Sequence, residues 1–438
     1  MSVKKFQNSI GSNGWYYSMS DKVLPSKKLE GKLSVDYVVV GGGFVGVAAT
    51  RRLAELAPNA SILLIDATKI GLGTSGRCSG FIIDTPHKGD LLTDDTKIHS
   101  RAFKINRKGI NWMEGIIKKE GIDCDWQKAG KFQVAASNRG ESFLKGYKRM
   151  LENTNEEHRV LEKHELYSIM GTQHYRSAVF TPNCILMQPA AYLNGMVKAF
   201  PKNVMVFEDA LVEDLKIGPD SVTLKTVNAH IQCKKVVLSV NVFSREFGYF
   251  KNRIVPVVTY ASMTNPLTQD QQELYTGTYG WGLTSADKGG TTLRMTTDKR
   301  LVIRNHYTHN PNYKVSCKFI KKIRQQHSEG LKKRYPHLKD LKIAHSWGGV
   351  CAVSRNFGFF AGELAKNVFS ALGHNGVGGA RGSIAGKSLA EKIVIGESED
   401  LELLSQAHMP CWNPPEPLLS IGIAARMAMD RFKSRDEL

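Results

Sequence analysis

No C-x-x-C pair occurs among the seven cysteines, at positions 78, 124, 184, 233, 317, 351 and 411, so the spacing that seeds a zinc ribbon or a dithiol redox motif is missing. Their odd number and wide scatter make reduced thiols the expectation. The opening segment MSVKKFQNSIGSNGWYYSMSD has a lysine pair but no apolar run behind it. A secretory signal or transmembrane anchor is therefore not expected, and a cytoplasmic location is. Arg435, Asp436, Glu437 and Leu438 look like an ER-retention address, which means nothing without entry into the secretory route. Internal repeats and low-complexity tracts are also absent. Acid is scarce: 41 Asp and Glu face 60 Lys and Arg, a net charge of +19, which could steer anionic ligands, nucleic acid or membrane surfaces. There is no long basic block or RNA-binding signature, so a solvated basic surface is expected and a nucleic-acid partner is not.

What is present reads as soluble and globular, with 42% hydrophobic and 23% charged residues. A chain of 438 residues exceeds one ordinary domain and suits two. The stretch VDYVVVGGGFVGVAATRRLAELAPNASILLIDA reads as buried strand, glycine turn, helix and second strand, one β-α-β unit. Helical spacing over 106–120 and strand character over 131–136, 222–227 and 235–240 follow, so helix and strand keep mixing. Late in the chain SIAGKSLAEKIVIG reads as a helix, and CWNPPEPLL cannot continue it.

Gly41, Gly43 and Gly46 give G-x-G-x-x-G spacing directly after the apolar strand 37–40. Glycine there allows the tight turn and close approach of a pyrophosphate, toward which the next helix points its free amides. Asp66 follows Gly46 by 20 residues, where a carboxylate accepts hydrogen bonds from a ribose diol and disfavours a 2′-phosphate. Phe44, Val45 and Ala67 flank these positions and are expected at the same ligand.

The fingerprint binds an ADP half common to FAD and NAD. In IGLGTSGRCSGF, Gly71, Gly73, Gly76 and Gly80 alternate with Thr74, Ser75, Arg77 and Ser79, and small hydroxyls, free amides and one cation suit a phosphate-rich ligand. The loop ALGHNGVGGARGSIAGK sets Gly373, Gly376, Gly378 and Gly379 before a helix whose N-terminus could face a flavin ring and stabilise its reduced anion. No second strand with a terminal acid follows, so one dinucleotide site is expected and electrons should come directly from a substrate.

These segments resemble the FAD-dependent oxidoreductases of the D-amino-acid-oxidase superfamily, most of all the gamma-glutamylputrescine oxidoreductase branch. VVVGGGFVGVAATRRLAE is similar to the family's first unit and GTSGRCSGF to its flavin loop. QPAAYLNGMVKAF resembles the segment opening a helix on the FAD domain, and KKVVLSVNVFS the strand before an asparagine turn. RIVPVVTYASMTNPL and LRMTTDKRLVIRN resemble two strands of the substrate sheet, and WGGV with ALGHNGVGG the closing flavin loop. Departures fall at Cys78 and Ser79 and across 373–377. The resemblance implies an α/β fold in which a Rossmann-like FAD-binding domain (34–124, 187–248 and 346–396) is interleaved with an α+β substrate domain (125–186 and 249–345) built on a mostly antiparallel sheet. An N-terminal extension (1–33) and a C-terminal extension (397–438) would flank them. In the latter IGIAARMAMDRFK has helical spacing, and its apolar stripe is expected to dock on the protein's own body.

The implied chemistry is hydride transfer from a carbon bearing an amine to flavin N5, with the imine hydrolysed by water. A small amine or amino acid, and oxygen or another electron acceptor, are the implied partners. Val212, Gly373, Asn375, Gly376, Val377 and Gly378 join the expected FAD contacts. His374 borders the presumed ring position, where an imidazole could tune the flavin or take up a proton. Arg294 and Arg304 could clamp a carboxylate, and Tyr260 and Trp347 could form an aromatic wall. Cys351 lies near the place where some sarcosine-oxidising relatives tether FAD; a structural cysteine and non-covalent FAD are the expectation. A sarcosine-like N-methyl amino-acid oxidase and an RNA-associated flavoprotein stay open as alternatives.

Overall fold

The computed structural model describes residues 10–20, 28–87, 90–338 and 340–438. Two large sheets share the chain. The first has the order Phe360–Ala365, Val368–Leu372, Ala229–Leu238, Gly31–Val40, Ile62–Ile65, Val204–Phe207. Its four central neighbour pairs, from Val368–Leu372 to Val204–Phe207, are parallel, and the hairpin Asp214–Ile217 with Val222–Lys225 adds to the side of Ala229–Leu238. Every residue of Ile62–Ile65 is fully buried, as a strand covered on both faces requires. The fingerprint helix Phe44–Leu56 runs between the first two strands. Against it lies the closing helix Gly379–Val394, so near that a Cβ on Gly386 would stand 2.1 Å from the Val45 carbonyl oxygen. Helix Thr96–Glu120 crosses the closing helix at Gly109, whose Cβ would meet the Ala380 carbonyl oxygen at 2.3 Å; it starts ten residues before the helical spacing read over 106–120.

The second sheet has the order Ile343–Ser354, Ile254–Thr264, Leu301–His309, Thr292–Met295, Trp281–Ser285, Lys131–Ala135, Ser177–Thr181, Arg159–Glu162. All of its pairings are antiparallel except that of Trp281–Ser285 with Lys131–Ala135. The chain thus leaves the first sheet twice to build the second. LRMTTDKRLVIRN, read above as one strand, is a hairpin of two. Strand Ile343–Ser354 belongs wholly to the second sheet, and the boundary expected at 346 falls inside it.

The C-terminal extension meets expectation only in part. Helix Leu418–Lys433 buries none of its residues, and Leu418, Ile421 and Phe432 are 63, 63 and 70% exposed. That exposed face is apolar, while the stripe Leu419, Ile423 and Met427 is half-buried and the helix packs on strand Leu301–His309. The polar turn beyond the helix is held more firmly: Glu437 accepts hydrogen bonds from Ala136 N at 3.0 Å, Ser137 Oγ at 2.6 Å and Ser285 Oγ at 3.1 Å. A carboxylate holding three donors at the start of helix Asn138–Asn153 outcompetes a loosely packed apolar face. The N-terminal segment is likewise tied down by polar contacts. Asn13 Nδ2 donates to the carbonyls of Gly71 and Gly76 at 3.0 Å, and Trp15 Nε1 to that of Cys78 at 2.8 Å.

Candidate active site

A cavity of about 650 Å³ opens between the C-terminal ends of the first sheet's parallel strands and one face of the second sheet. Ligand sites of α/β sheets lie at this end of the strands. The turn after Gly31–Val40 forms one wall. Gly41 has φ +100°, where glycine is nearly free of strain, and a Cβ on Gly46 would stand 1.7 Å from the Gly41 carbonyl oxygen. Gly46 is therefore buried beneath the turn and lets the helix start against it, while Gly41, Gly43, Phe44 and Val45 face the cavity. The helix has no side-chain cap of its own; Ser75 Oγ accepts from Phe44 N at 3.2 Å.

Asp66 and Ala67 line the same wall. The Asp66 carboxylate accepts from Gly42 N at 2.7 Å and from Thr68 N at 2.8 Å. Burial pushes its pKa up, and these donors pull it down. Thr74, Ser75, Gly76, Arg77 and Ser79 continue the lining, with Val212 opposite. The Arg77 guanidinium is not left for a phosphate. It donates to the carbonyls of Leu72 at 2.6 Å, Ile10 at 3.0 Å and Gly348 at 3.3 Å, and burial lowers its pKa to about 10. It braces the loop from behind. Gly80 is not part of the lining; its Cβ position is filled by Arg294 and the Met187 carbonyl.

From the late loop His374, Gly376, Val377 and Gly378 reach the cavity, together with the uncapped start of the closing helix at Gly379. Gly373 and Asn375 stand behind them. Asn375 is buried, accepts from Ser354 N at 2.9 Å and donates to the carbonyls of Gly358 at 3.1 Å and Gly373 at 2.6 Å. The ring nitrogens of His374 are buried and make no hydrogen bond of normal geometry to another described residue. Its pKa falls to about 4, by burial first and the Arg381 guanidinium second, an approach to the Ala371 carbonyl offsetting this only in part. The imidazole is neutral near pH 7.

The second sheet supplies the facing wall. Arg304 lines the cavity and donates to Thr292 Oγ1 at 2.7 Å; burial lowers its pKa. Arg294, the other expected clamp, turns away: it donates to the Met187 carbonyl and to Asp125 Oδ2 at 3.2 Å, and is 1% exposed. Tyr260 is also outside, its hydroxyl paired with Thr308 Oγ1 at 2.8 Å, as is Trp347, whose Nε1 donates to the Arg77 carbonyl at 2.9 Å. Both pack in the core rather than forming a cavity wall. Cys351 and Cys78 line the cavity, and burial pushes the Cys78 thiol up to about 11. Residues missed by sequence reasoning are Lys131, Gln133, Thr284 and Thr292, polar side chains in a row on the sheet face. For Lys131 and Gln133 the only signal was alternation in K-F-Q-V-A, which reads equally well as a solvent-facing strand.

The residues fit an adenine dinucleotide. Glycines occupy positions where a Cβ would fill the cradle, as at Gly43, 2.6 Å from Ser75 Oγ. Two helix N-termini whose own N-cap residues supply no side-chain cap line one cavity whose size suits a large ligand, and the orphaned nitrogens of His374 await a partner. Fold and site together define a dinucleotide-binding oxidoreductase with a second sheet roofing the reactive end.

Comparison with known proteins makes this specific. The family model described as DAO, FAD dependent oxidoreductase, matches residues 36–392, and the chain belongs to that family. It is similar to the gamma-glutamylputrescine oxidoreductase of Escherichia coli, 23% identical over 96% of this chain and 99% of the relative. The probable oxidoreductase OrdL of Haemophilus influenzae is 24% identical over 86% of each chain. Among solved structures, glycine oxidase from Geobacillus kaustophilus superposes with a TM-score of 0.69 at 16% identity, covering 84% of this chain and 96% of its own. L-Proline dehydrogenase from P. horikoshii gives 0.66 at 20%, covering 87% and 97%. The fold is accordingly a Rossmann FAD domain combined with a substrate domain. No helix among the described residues is long and apolar enough to cross a membrane.

Proposed function

We propose that the chain oxidises the C–N bond of a small amine or amino acid, in the cytoplasm, with oxygen or another acceptor taking the electrons onward. When bound, FAD accepts a hydride from the carbon bearing the amine, and water hydrolyses the resulting imine. Gly41, Gly43, Asp66 and the loop from Thr74 to Ser79 would hold the ADP half. Gly376, Val377 and Gly378 would border the ring. Residues 34–124, 187–248 and the segment beyond strand Ile343–Ser354 would form the FAD domain, and the second sheet the substrate domain. Arg304 would orient a substrate carboxylate, a task for a positioned cation rather than an acid or base. His374, neutral and unpartnered, would hydrogen-bond the ring or the substrate without adding charge. Cysteines that form no disulfide among the described residues suit a reducing compartment.

The observation that carries this reading is the sharing of one cavity by the two helix N-termini and Arg304. Anaerobic visible spectra of the purified protein against polyamines, gamma-glutamylated amines and D-, L- and N-methyl amino acids test it. Bleaching by at least one amine is expected; bleaching by NADH as readily as by any amine would refute it. The cavity-facing Arg304 also favours a second reading within this class, an N-methyl amino-acid oxidase, for which sarcosine would be the best reductant in the same panel.

A further inference from the structure

The cavity continues past Arg304 to a second end, walled by strand Lys131–Ala135 and helix Asn138–Asn153. Lys131 is 4% exposed, a burial at which lysine is almost always paired. Its Nζ donates to Gln133 Oε1 at 3.0 Å and stands 5.2 Å over the Tyr147 ring. An ammonium has three donors, and this is the one hydrogen bond it makes among the described residues. No described carboxylate lies within ion-pair distance of it. Asp84, whose titration it influences, is held instead by Arg107 at 3.0 Å.

Gln133 cannot turn to help. Its Oε1 also accepts from Thr284 Oγ1 at 2.8 Å, and its Nε2 donates to the Ser285 carbonyl at 2.7 Å. The Tyr147 hydroxyl beside it is buried without a partner. Lys131, Gln133 and Tyr147 all line the cavity. A desolvated cation with spare donors and an orphaned hydroxyl at one cavity end are what an anion-binding pocket needs.

Resting on the amine-oxidation reading above, we propose that this end binds an anionic group remote from the reacting amine. The substrate is then an amine with two anionic groups, one on Arg304 and the other on Lys131, as in an acidic amino acid or an N-carboxyalkyl amino acid. Register supports the pairing: Arg304 lies opposite Thr292, Thr292 opposite Thr284, and Thr284 opposite Gln133. Gln133 is three strand spacings from Arg304, about 14 Å between backbones, and the gap is narrowed from both sides, since Arg304 reaches Thr292 and Lys131, two residues from Gln133, reaches back to it. A diamine would set its second ammonium against Lys131.

Perturbation of the flavin spectrum of the holoprotein by two acids that carry no amine, with a diamine added anaerobically for contrast, tests this. Glutarate should bind at least about tenfold tighter than pentanoate, one well-placed charged pair, with 1,4-diaminobutane weakest. Lys131→Met should bring the ratio of glutarate to pentanoate affinity within about twofold, and Lys131→Arg should retain the glutarate preference. Equal binding of glutarate and pentanoate by the wild-type protein, tighter binding of the diamine, or an undiminished preference in Lys131→Met would overturn the proposal. Should Lys131→Met fail to fold, the wild-type ranking decides. A flavin that no amine bleaches, with the glutarate preference intact, would sink amine oxidation and leave the anion pocket standing.

Discussion

Trp347 and Arg77 are joined by a hydrogen bond from the indole Nε1 to the arginine's backbone carbonyl, 2.9 Å long and fully buried. It links the second sheet to the loop that borders the first. The Arg77 side chain returns the tie by donating to the Gly348 carbonyl, next to Trp347. The two sheets are thus fastened to each other at the position where a flavin would lie between them.

Trp347→Phe removes the donor and strands a buried carbonyl, at a cost of about 2 kcal/mol. Because the stranded carbonyl belongs to the loop proposed to hold FAD, FAD affinity should fall together with stability. Melting temperature and FAD dissociation, followed by flavin fluorescence, check this; unchanged FAD affinity in a destabilised protein would confine the bond to a packing role.

Gly46 and Gly73 separate close packing from mere glycine content. A methyl group on Gly46 would lie 1.7 Å from a backbone oxygen, whereas one on Gly73 meets nothing within 4 Å. Gly46→Ala should therefore purify without flavin or fail to fold, and Gly73→Ala should stay yellow. The absorbance ratio of flavin to protein reads both.

The glycine-turn wall of the cavity was legible because its sequence pattern is local. A strand, a turn that only glycine can make and an acid at the next strand end follow one another in the chain, so Gly41, Gly43 and Asp66 could be placed without knowing the fold. The sheet side was not, because a strand residue's face depends on register. Arg294 and Arg304 looked equivalent, yet Arg294 is drawn beneath Gly80 to Met187 and Asp125. Tyr260 sits at a register shift between Tyr260 and Ala261, and it is its neighbour Thr259 that lines the cavity. Lys131 and Gln133 carried the pattern of a solvated strand, and only the helix laid over them makes their face an interior one.

Glu437 offers a test of how the C-terminal extension is held. Its three hydrogen bonds reach Ala136, Ser137 and Ser285, and Arg334 donates to its backbone carbonyl at 3.3 Å. Glu437→Ala should cost about 1 to 3 kcal/mol by leaving these donors unsatisfied. Deleting the exposed Phe432 side chain should change stability by less than about 0.5 kcal/mol. Chemical denaturation of the two variants compares them directly; the reverse order would show that the exposed apolar face, not the carboxylate, holds the tail.

Acid should destabilise the fold before its carboxylates protonate, because several histidines are held neutral. Burial is the leading cause at each, lowering the pKa to about 3 at His174 and His327 and to about 4 at His306 and His374. The unfolded chain takes up these protons near the ordinary value of about 6.5. Below that pH the unfolded state binds more protons than the native one, so stability falls as pH drops and the loss ends only below the native values. Each histidine that takes up a full proton on unfolding contributes about 1.4 kcal/mol per pH unit. His327 is the clearest case, fully buried, with Nδ1 2.8 Å from Ser262 Oγ, its ring 5.8 Å from that of His306, and Arg304 adding to the depression. Asparagine there keeps a partner for the serine hydroxyl but cannot titrate. Urea midpoints at about pH 7.5, 6 and 5 should fall steadily in the wild-type protein and less steeply in His327→Asn; equal slopes would mean that His327 reaches water and protonates without unfolding.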